Sequence, residues 1–379
     1  MREIYLDNAA TTKVDADVAA LALDLMQRCY GNPSALHKKG ADAAALLAAA
    51  RKQVAALLGC RPQELVFCSG GTEANNLAIL GAAYAQQRRG KTIVAGTVEH
   101  ASVLQPLTHL EENGWTVKRI PPLPDGSADI PAMIAAIDSD TVLISAMLVN
   151  SETGSVTAVD KLAAQARRKQ PGILVHCDAV QGFGKLVFTV KSLDADLVTV
   201  SGHKLYAPKG SGALYLRSGA RIRNVLHGGG HESGLRPGTE ALPALCGMGK
   251  SAQTALETQA QTLAHMRTLS EYFVNKTAQT DGVCINSPRE SSPYIQNISL
   301  PGWRSQILLN YLSDRGIYLS SGSACAKGAR SRILTAMNLP LERIDSALRV
   351  SFCKENTRED VDALFAALGS AMRDILKSS

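Results

Sequence analysis

Leu197-Val198-Thr199-Val200-Ser201-Gly202-His203-Lys204 is an apolar run that stops at a serine and a glycine and then presents a histidine and a lysine. A lysine just past the end of a buried strand need not be a solubilising charge. Burial withdraws solvent from the ammonium form and lowers its pKa, and a neutral amine forms an imine with an aldehyde. Taken singly, Lys204 has an ordinary reading as a surface residue.

A second apolar run, Leu174-Val175-His176-Cys177, ends in Asp178 and is followed by Ala179-Val180-Gln181. By itself an aspartate there is a turn former or a helix cap. An acid and a lysine at two strand ends together suit a pyridoxal phosphate site. That cofactor's aldehyde takes the amine, and its pyridine nitrogen needs a carboxylate to keep it protonated so that the ring serves as an electron sink.

The same pattern runs back along the chain. Leu65-Val66-Phe67-Cys68 leads through Ser69-Gly70-Gly71-Thr72 into a helix expected from Glu73 to Gln87. A glycine turn feeding a helix aims unpaired backbone N–H groups and the positive end of the helix dipole at one spot, which suits a phosphate. The alternative is that the glycines merely permit a tight turn. Further strands are expected at Thr92 to Ala95, Thr116 to Ile120 and Thr141 to Met147. Helices are expected at Asp15 to Tyr30 with Asp15 as cap, Ala41 to Leu58, Ser102 to Asn113, Ile130 to Ile137 and Val159 to Lys169. Nearly uniformly apolar strands alternating with helices indicate an α/β fold with a mostly parallel sheet covered on both faces. Ligands sit at the carboxyl ends of such strands. Thr72, His100, Asp178 and Lys204 all follow predicted strands.

Length and composition set the frame. The 379 residues allow one large and one smaller domain, expected at 15–250 and at 1–14 with 251–379. With 45% hydrophobic and 20% charged residues the chain is an ordinary globular one. No apolar run reaches membrane-spanning length and the start is unlike a signal peptide, which points to the cytoplasm. The net charge of +6 is mild, and Arg167-Arg168-Lys169 reads as a solvated helix end, so direct nucleic-acid binding is not expected. The glycines at 228–230 between His227 and His231 speak for a loop and against a metal pair at helical spacing. Thr239 to about Ala278 reads as a long helix leading to a smaller α/β unit that contains Asn297 to Leu300, Ser305 to Asp314, Arg349 to Phe352 and a closing helix from Arg358 to Lys377.

Eight cysteines are scattered without a Cys-x-x-Cys pair, so neither a zinc ribbon nor a disulfide framework is indicated and no metal is expected. One has a different setting. Cys325, in Ser321-Gly322-Ser323-Ala324-Cys325-Ala326-Lys327-Gly328, lies among small residues beside a lysine, which lowers a thiol's pKa. It is either an attacking thiol on a swinging loop or a plain loop cysteine.

Ser69-Gly70-Gly71-Thr72-Glu73, Ser201-Gly202-His203-Lys204 and Ser321-Gly322-Ser323-Ala324-Cys325, in this order, resemble the cysteine desulfurases of the nitrogen-fixation and iron-sulfur-cluster type, within the class V aminotransferase family. The similarity runs from Tyr5-Leu6-Asp7-Asn8-Ala9-Ala10-Thr11-Thr12 to Leu348-Arg349-Val350-Ser351. It implies the type I pyridoxal phosphate-dependent transferase fold and conversion of L-cysteine to L-alanine, with the sulfur left as a persulfide on Cys325 for an acceptor protein. By the same resemblance Lys204 holds the cofactor and moves the alpha proton, and His100 stacks on the ring. Asp178 pairs with the ring nitrogen and Gln181 with the ring hydroxyl. Gly71, Thr72, Ser201 and His203 hold the phosphate, with Thr239 reaching it from the second subunit of a homodimer. Asn150 and Ser151 touch the cofactor, and Arg349 helped by Asn8 binds the substrate carboxylate.

Three departures accompany the resemblance. Asn150-Ser151-Glu152 has a serine where the family commonly has a second asparagine, the segment after Cys325 is shorter and lacks the usual Pro-Ser pair, and the chain ends close behind its last helix. A lyase or aminotransferase on the same fold, or a cofactor-binding scaffold, are the competing readings. A loop thiol is something an aminotransferase does not need.

Overall fold

The computed structural model describes residues 2–321 and 330–377. The expectation for Cys325 falls outside the described residues.

A seven-stranded sheet forms the centre. In spatial order its strands are Leu65–Cys68, Gly212–Leu216, Leu197–Ser201, Leu174–Asp178, Thr141–Met147, Thr92–Gly96 and Thr116–Ile120. Successive side chains of a strand point to opposite faces, and here both faces are apolar. Leu65, Phe67, Val94, Val175 and Val198 join one core, whereas Val66, Cys68, Ile93, Ala95 and Leu197 join another that includes Ala74, Leu77 and Ala78 of the helix Gly71–Gln86. That two-sided burial is why these strands read as continuous apolar runs. The edge strand Thr116–Ile120 is the exception and is only part-buried, with Lys118 and Arg119 blunting the edge.

One strand runs against the rest. Gly212–Leu216 is antiparallel to both Leu65–Cys68 and Leu197–Ser201. The connection from Leu197–Ser201 holds only a short 3-10 turn, Gly202–Lys204, and no crossover helix, so the chain can only double back. Gly212 faces the Gly70 backbone so closely that a Cβ there would lie 2.6 Å from Gly70 Cα.

The helix Leu242–Ala278 spans 37 residues and carries the chain to a three-stranded antiparallel sheet of Cys284–Ile285, Ile295–Ser299 and Ala347–Ser351. Ser305–Ser313 and Arg358–Asp374 pack beside it. The amino-terminal strand Ile4–Tyr5 pairs with Ile317–Tyr318, and Asp7 bridges to Ser351. This brings residues 7–12 back against the carboxyl ends of the central strands.

Several boundaries differ from the sequence expectation for local reasons. The helix expected from Ala41 begins at Lys38, where His37 Nδ1 accepts the Gly40 N–H at 3.2 Å. The helix expected from Glu73 begins at Gly71. Asp15 stands at the cap position of Ala16–Arg28 but makes no capping bond, because its carboxylate takes Lys354 Nζ at 2.7 Å.

Candidate active site

The carboxyl ends of the parallel strands open into a cavity of about 310 Å³, lined among others by Gly71, Thr72, His100, Ser151, Asp178, Gln181, Ser201, His203, Lys204 and Arg349. Strand order explains the gathering. Asp178 and Ser201 are the last residues of adjacent strands, and the 3-10 turn after Ser201 carries His203 and Lys204 over the strand ends. Tyr206, two residues on, has a left-handed backbone with φ of 59°. Such a conformation is costly for a bulky residue and persists only where neighbours over-determine it. Thr12 does so here, accepting the Tyr206 N–H at 2.8 Å and donating to the His203 carbonyl at 3.1 Å.

The Lys204 amine is directed at residues 9 and 10, donating to the Ala9 carbonyl at 2.6 Å and to that of Ala10. Asp178 is held at both oxygens. Val180 N–H donates to Oδ1 at 3.0 Å and Asn75 Nδ2 to Oδ2 at 2.8 Å. Asn75 also donates to Ser102 Oγ at 2.8 Å, and Ser102 meets His100 Nδ1 at 2.7 Å. His100 Nδ1 accepts the Ser102 N–H as well. Burial is the largest cause holding the His100 pKa below its usual value; the Asp178 charge opposes this and Lys204 adds to it. The ring is therefore neutral near pH 7, with its proton on Nε2. His203 is pushed down to about 4, by burial first and then by Lys204.

Arg349 enters from the strand Ala347–Ser351 and is almost fully buried. Its guanidinium pairs with Asp7 at 2.7 Å and donates to the Ser151 carbonyl at 3.0 Å. Two acids complete the wall on that side. Glu152 accepts from Ser331 Oγ, and burial raises its pKa. Glu99 is buried, accepts the Met147 N–H at 2.8 Å through Oε1, and is pushed up to about 8 by desolvation. Arg332 lines the cavity beside them and donates to the Glu99 carbonyl at 2.7 Å.

Three expected residues do not line the cavity. Asn8 is buried, with Nδ2 donating to the Ser351 carbonyl at 3.0 Å and the Tyr5 carbonyl at 3.2 Å. Asn150 uses Oδ1 to accept the N–H groups of Glu152 and Thr153, forming the turn that presents Ser151. Thr239 is exposed on a loop away from this chain's cavity. Conversely Asn75, Glu99, Glu152, Lys185 and Arg332 are site or near-site residues that the sequence reading passed over. For Asn75 a signal existed: it shares a helix face with the buried Ala78, Ile79 and Ala82, where a polar residue needs a partner.

Residues 4–364 match the family model described as aminotransferase class V. The chain belongs to the class V aminotransferase family. Its relatives in that family include a protein named NifS/IcsS protein homolog from Lactobacillus delbrueckii subsp. bulgaricus, 39% identical over 369 residues and covering 96% of each chain. Another, named cysteine desulfurase IscS, comes from Serratia proteamaculans and is 39% identical over 367 residues, covering 95% of this chain and 90% of its own. A solved structure described as a NifS-like protein superposes with a TM-score of 0.94 at 34% identity, covering 99% of this chain and all of that one.

Members of this class V family work with pyridoxal phosphate, and the residues here fit that group. An amine, a fixed carboxylate and a helix amino terminus opening at Gly71 are all present. Ser201 Oγ is buried and makes no hydrogen bond among the described residues. The turn at Gly71 has no room for more than hydrogen, since a Cβ there would lie 2.8 Å from Val180 Cγ2. An orphaned hydroxyl beside a helix amino terminus suits a phosphate.

Proposed function

We propose that this chain is a pyridoxal phosphate-dependent cysteine desulfurase, which converts L-cysteine to L-alanine and leaves the sulfur as a persulfide on Cys325. The observation that carries this reading is the meeting of the Lys204 amine, the Asp178 carboxylate and the Arg349 guanidinium in one cavity. The names of the relatives from Lactobacillus and Serratia support the substrate.

When bound, pyridoxal phosphate supplies an electron sink for negative charge at the substrate's alpha carbon. Lys204 would hold it covalently and move the alpha proton. Asp178, kept in place by Asn75 and the Val180 N–H, would pair with the ring nitrogen, and Gln181 with the ring hydroxyl. His100 would stack on the ring as a neutral imidazole. Gly71, Thr72, Ser201 and His203 would hold the phosphate, joined by Thr239 from the second subunit of a homodimer. Ser151, on the turn that Asn150 Oδ1 holds, would border the cofactor, and Arg349 would bind the cysteine carboxylate, with Asn8 bracing the same strand through the Ser351 carbonyl. Cys325 then takes the sulfur. The bond from the beta carbon to sulfur breaks, a sulfur–sulfur bond forms, and a proton passes to the beta carbon, so that a cysteine and an enzyme thiol become an alanine and an enzyme persulfide.

The homodimer and a sulfur-acceptor protein belong to the same proposal and rest on the resemblance. A cytoplasmic location, which the short apolar runs of the sequence favour, belongs to it too, as does the division into a large domain at 15–250 and a small one at 1–14 with 251–379, which the chain's length and the pairing of Ile4–Tyr5 with Ile317–Tyr318 support. Among the described residues no helix is long and apolar enough to cross a membrane. The test is the visible absorption of the purified protein with and without L-cysteine, read together with alanine and sulfide release. A yellow protein that makes alanine and, with a reductant, sulfide is expected. One that makes alanine without transferring sulfur to Cys325 contradicts the proposal.

A further inference from the structure

Behind the cavity lies a second lysine to which the mechanism assigns no task. Lys185 is only 3% exposed. Residues 179–186 turn back on themselves, with Phe183 N–H on the Ala179 carbonyl at 2.8 Å and Leu186 N–H on that of Gly182 at 2.9 Å. The turn sets the side chains of Gln181 and Lys185 together, and Lys185 Nζ donates to Gln181 Oε1 at 3.3 Å. The other end of the same amide, Nε2, donates to the Ala9 carbonyl at 2.9 Å, the carbonyl that also accepts Lys204 Nζ.

A side-chain amide has a donor end and an acceptor end, and nothing in its own shape decides which way it points. Here the surroundings decide. An ammonium only donates and a carbonyl only accepts, so Oε1 must face Lys185 and Nε2 must face Ala9 and the cavity. Burying a lysine to achieve this is costly. No described carboxylate stands within ion-pairing distance of Lys185; its other close partner is the Tyr294 ring, 5.7 Å from Nζ. Burial, with Lys204 next, pushes its pKa down to about 7; Arg349 acts in the same sense and Cys353 opposes them. Asp15, Tyr206 and Lys354 line the same small pocket. Once neutral the amine can donate as before, and the Ala9 carbonyl, which only accepts, then keeps Nε2 on its side.

We propose that Lys185 is a positioning residue that locks the Gln181 amide with its N–H end toward the cavity, so that Gln181 can donate to a cofactor oxygen and cannot turn its carbonyl there. This rests on the reading that pyridoxal phosphate occupies the cavity. Without Lys185 the Ala9 carbonyl alone opposes a turned amide, so turned forms become populated, leave more negative charge on the ring oxygen, and make the neighbouring nitrogen hold its proton more tightly.

The experiment is a pH titration of the bound cofactor's visible band in the holoenzyme, in a four-way comparison of wild type, Lys185→Met, Gln181→Leu and the double variant. Lys185→Met should raise the titration midpoint by about half a unit or more, and should add nothing once Gln181 is leucine, because residues acting through one another are not additive. An unmoved midpoint in Lys185→Met overturns the proposal. So does an equal shift in the Gln181→Leu background, which would make Lys185 a distant charge and nothing more. Borohydride reduction of the same samples separates the two levels of the argument. A pyridoxyl label on Lys204 with an unmoved midpoint refutes only the role of Lys185, whereas no label on Lys204 refutes the cofactor reading as well. Methionine is unbranched like lysine, one atom shorter, and removes a buried charge, so the variant should fold; Lys185→Leu offers a second shape for the same comparison.

Discussion

Replacing Arg349 by leucine should separate recognition of the substrate carboxylate from every other part of the reaction. The guanidinium is 4% exposed and its partner Asp7 21%, so the arginine works in a dry setting while the aspartate keeps some water. A hydrogen bond between charged groups contributes about 1.5–3 kcal/mol. At about 1.36 kcal/mol per factor of ten, Arg349→Leu should weaken L-cysteine about 10- to 150-fold. The assay is the change in the cofactor's visible absorbance as ligand is added, which yields a dissociation constant for each ligand. Cysteamine, the same molecule without its carboxylate, is the internal control. The variant should bind it within about twofold of wild type, because no carboxylate is there to lose its partner. Folding suffers too, since Asp7 loses its cation, but its partial exposure keeps that loss to about 2 kcal/mol. Equal weakening of L-cysteine and cysteamine would refute the reasoning and reduce Arg349 to a structural brace between Asp7 and the Ser151 carbonyl.

Glu99 is raised to about 8 in the fold and titrates near its ordinary 4.5 when unfolded, so the stability it contributes is fully present below about 4.5 and is lost as pH rises through 8. Glu99→Gln should therefore match wild type near pH 5 and exceed it by a few kcal/mol at pH 8.5 in denaturant titrations; a difference that does not vary with pH would contradict this. Gly71→Ala should destabilise by about 1–3 kcal/mol through its clash with Val180 and should be partly rescued by Val180→Ala, which thermal melts of the single and double variants would show or deny. Ser151→Asn should tighten cofactor retention, because an amide reaches further into the cavity than a hydroxyl; unchanged or weaker retention in equilibrium dialysis would count against the idea.

The parallel sheet was legible because each central strand is buried on two faces, and a strand with no solvent face leaves an unbroken apolar run. Thr141–Met147 and Val159–Lys169 match their expected bounds. Strand direction is a different matter. Gly212–Leu216 carries no mark of running antiparallel; its direction comes from the short connection after Leu197–Ser201. Asp178, which ends a strand, and Lys204, in the turn just past the end of another, could be found because an apolar run precedes each. The residues around them are less legible. Asn75 is marked by its apolar helix face but its partner is not, while Lys185 sits in a turn and Arg332 seven residues past Cys325, settings where a polar side chain is ordinarily solvated. Only tertiary contact shows that Asn75 holds Asp178 or that Lys185 meets Gln181. Glu99 lies in the short connection after Thr92–Gly96, where an acid is ordinarily solvated, and only the fold shows that it is buried.

Cys325→Ser tests the central claim most directly, because it removes the nucleophile and leaves the cofactor site untouched. A serine hydroxyl holds its proton far more tightly than a thiol, so it cannot take the sulfur near neutral pH. The measurement is stopped-flow absorbance after mixing with sulfur-labelled L-cysteine, paired with alanine release and the label bound to protein. The account predicts that the serine variant shows the absorbance change of substrate binding with neither label on residue 325 nor alanine turnover, while wild type gives both. Alanine release at the wild-type rate from the serine variant would contradict it.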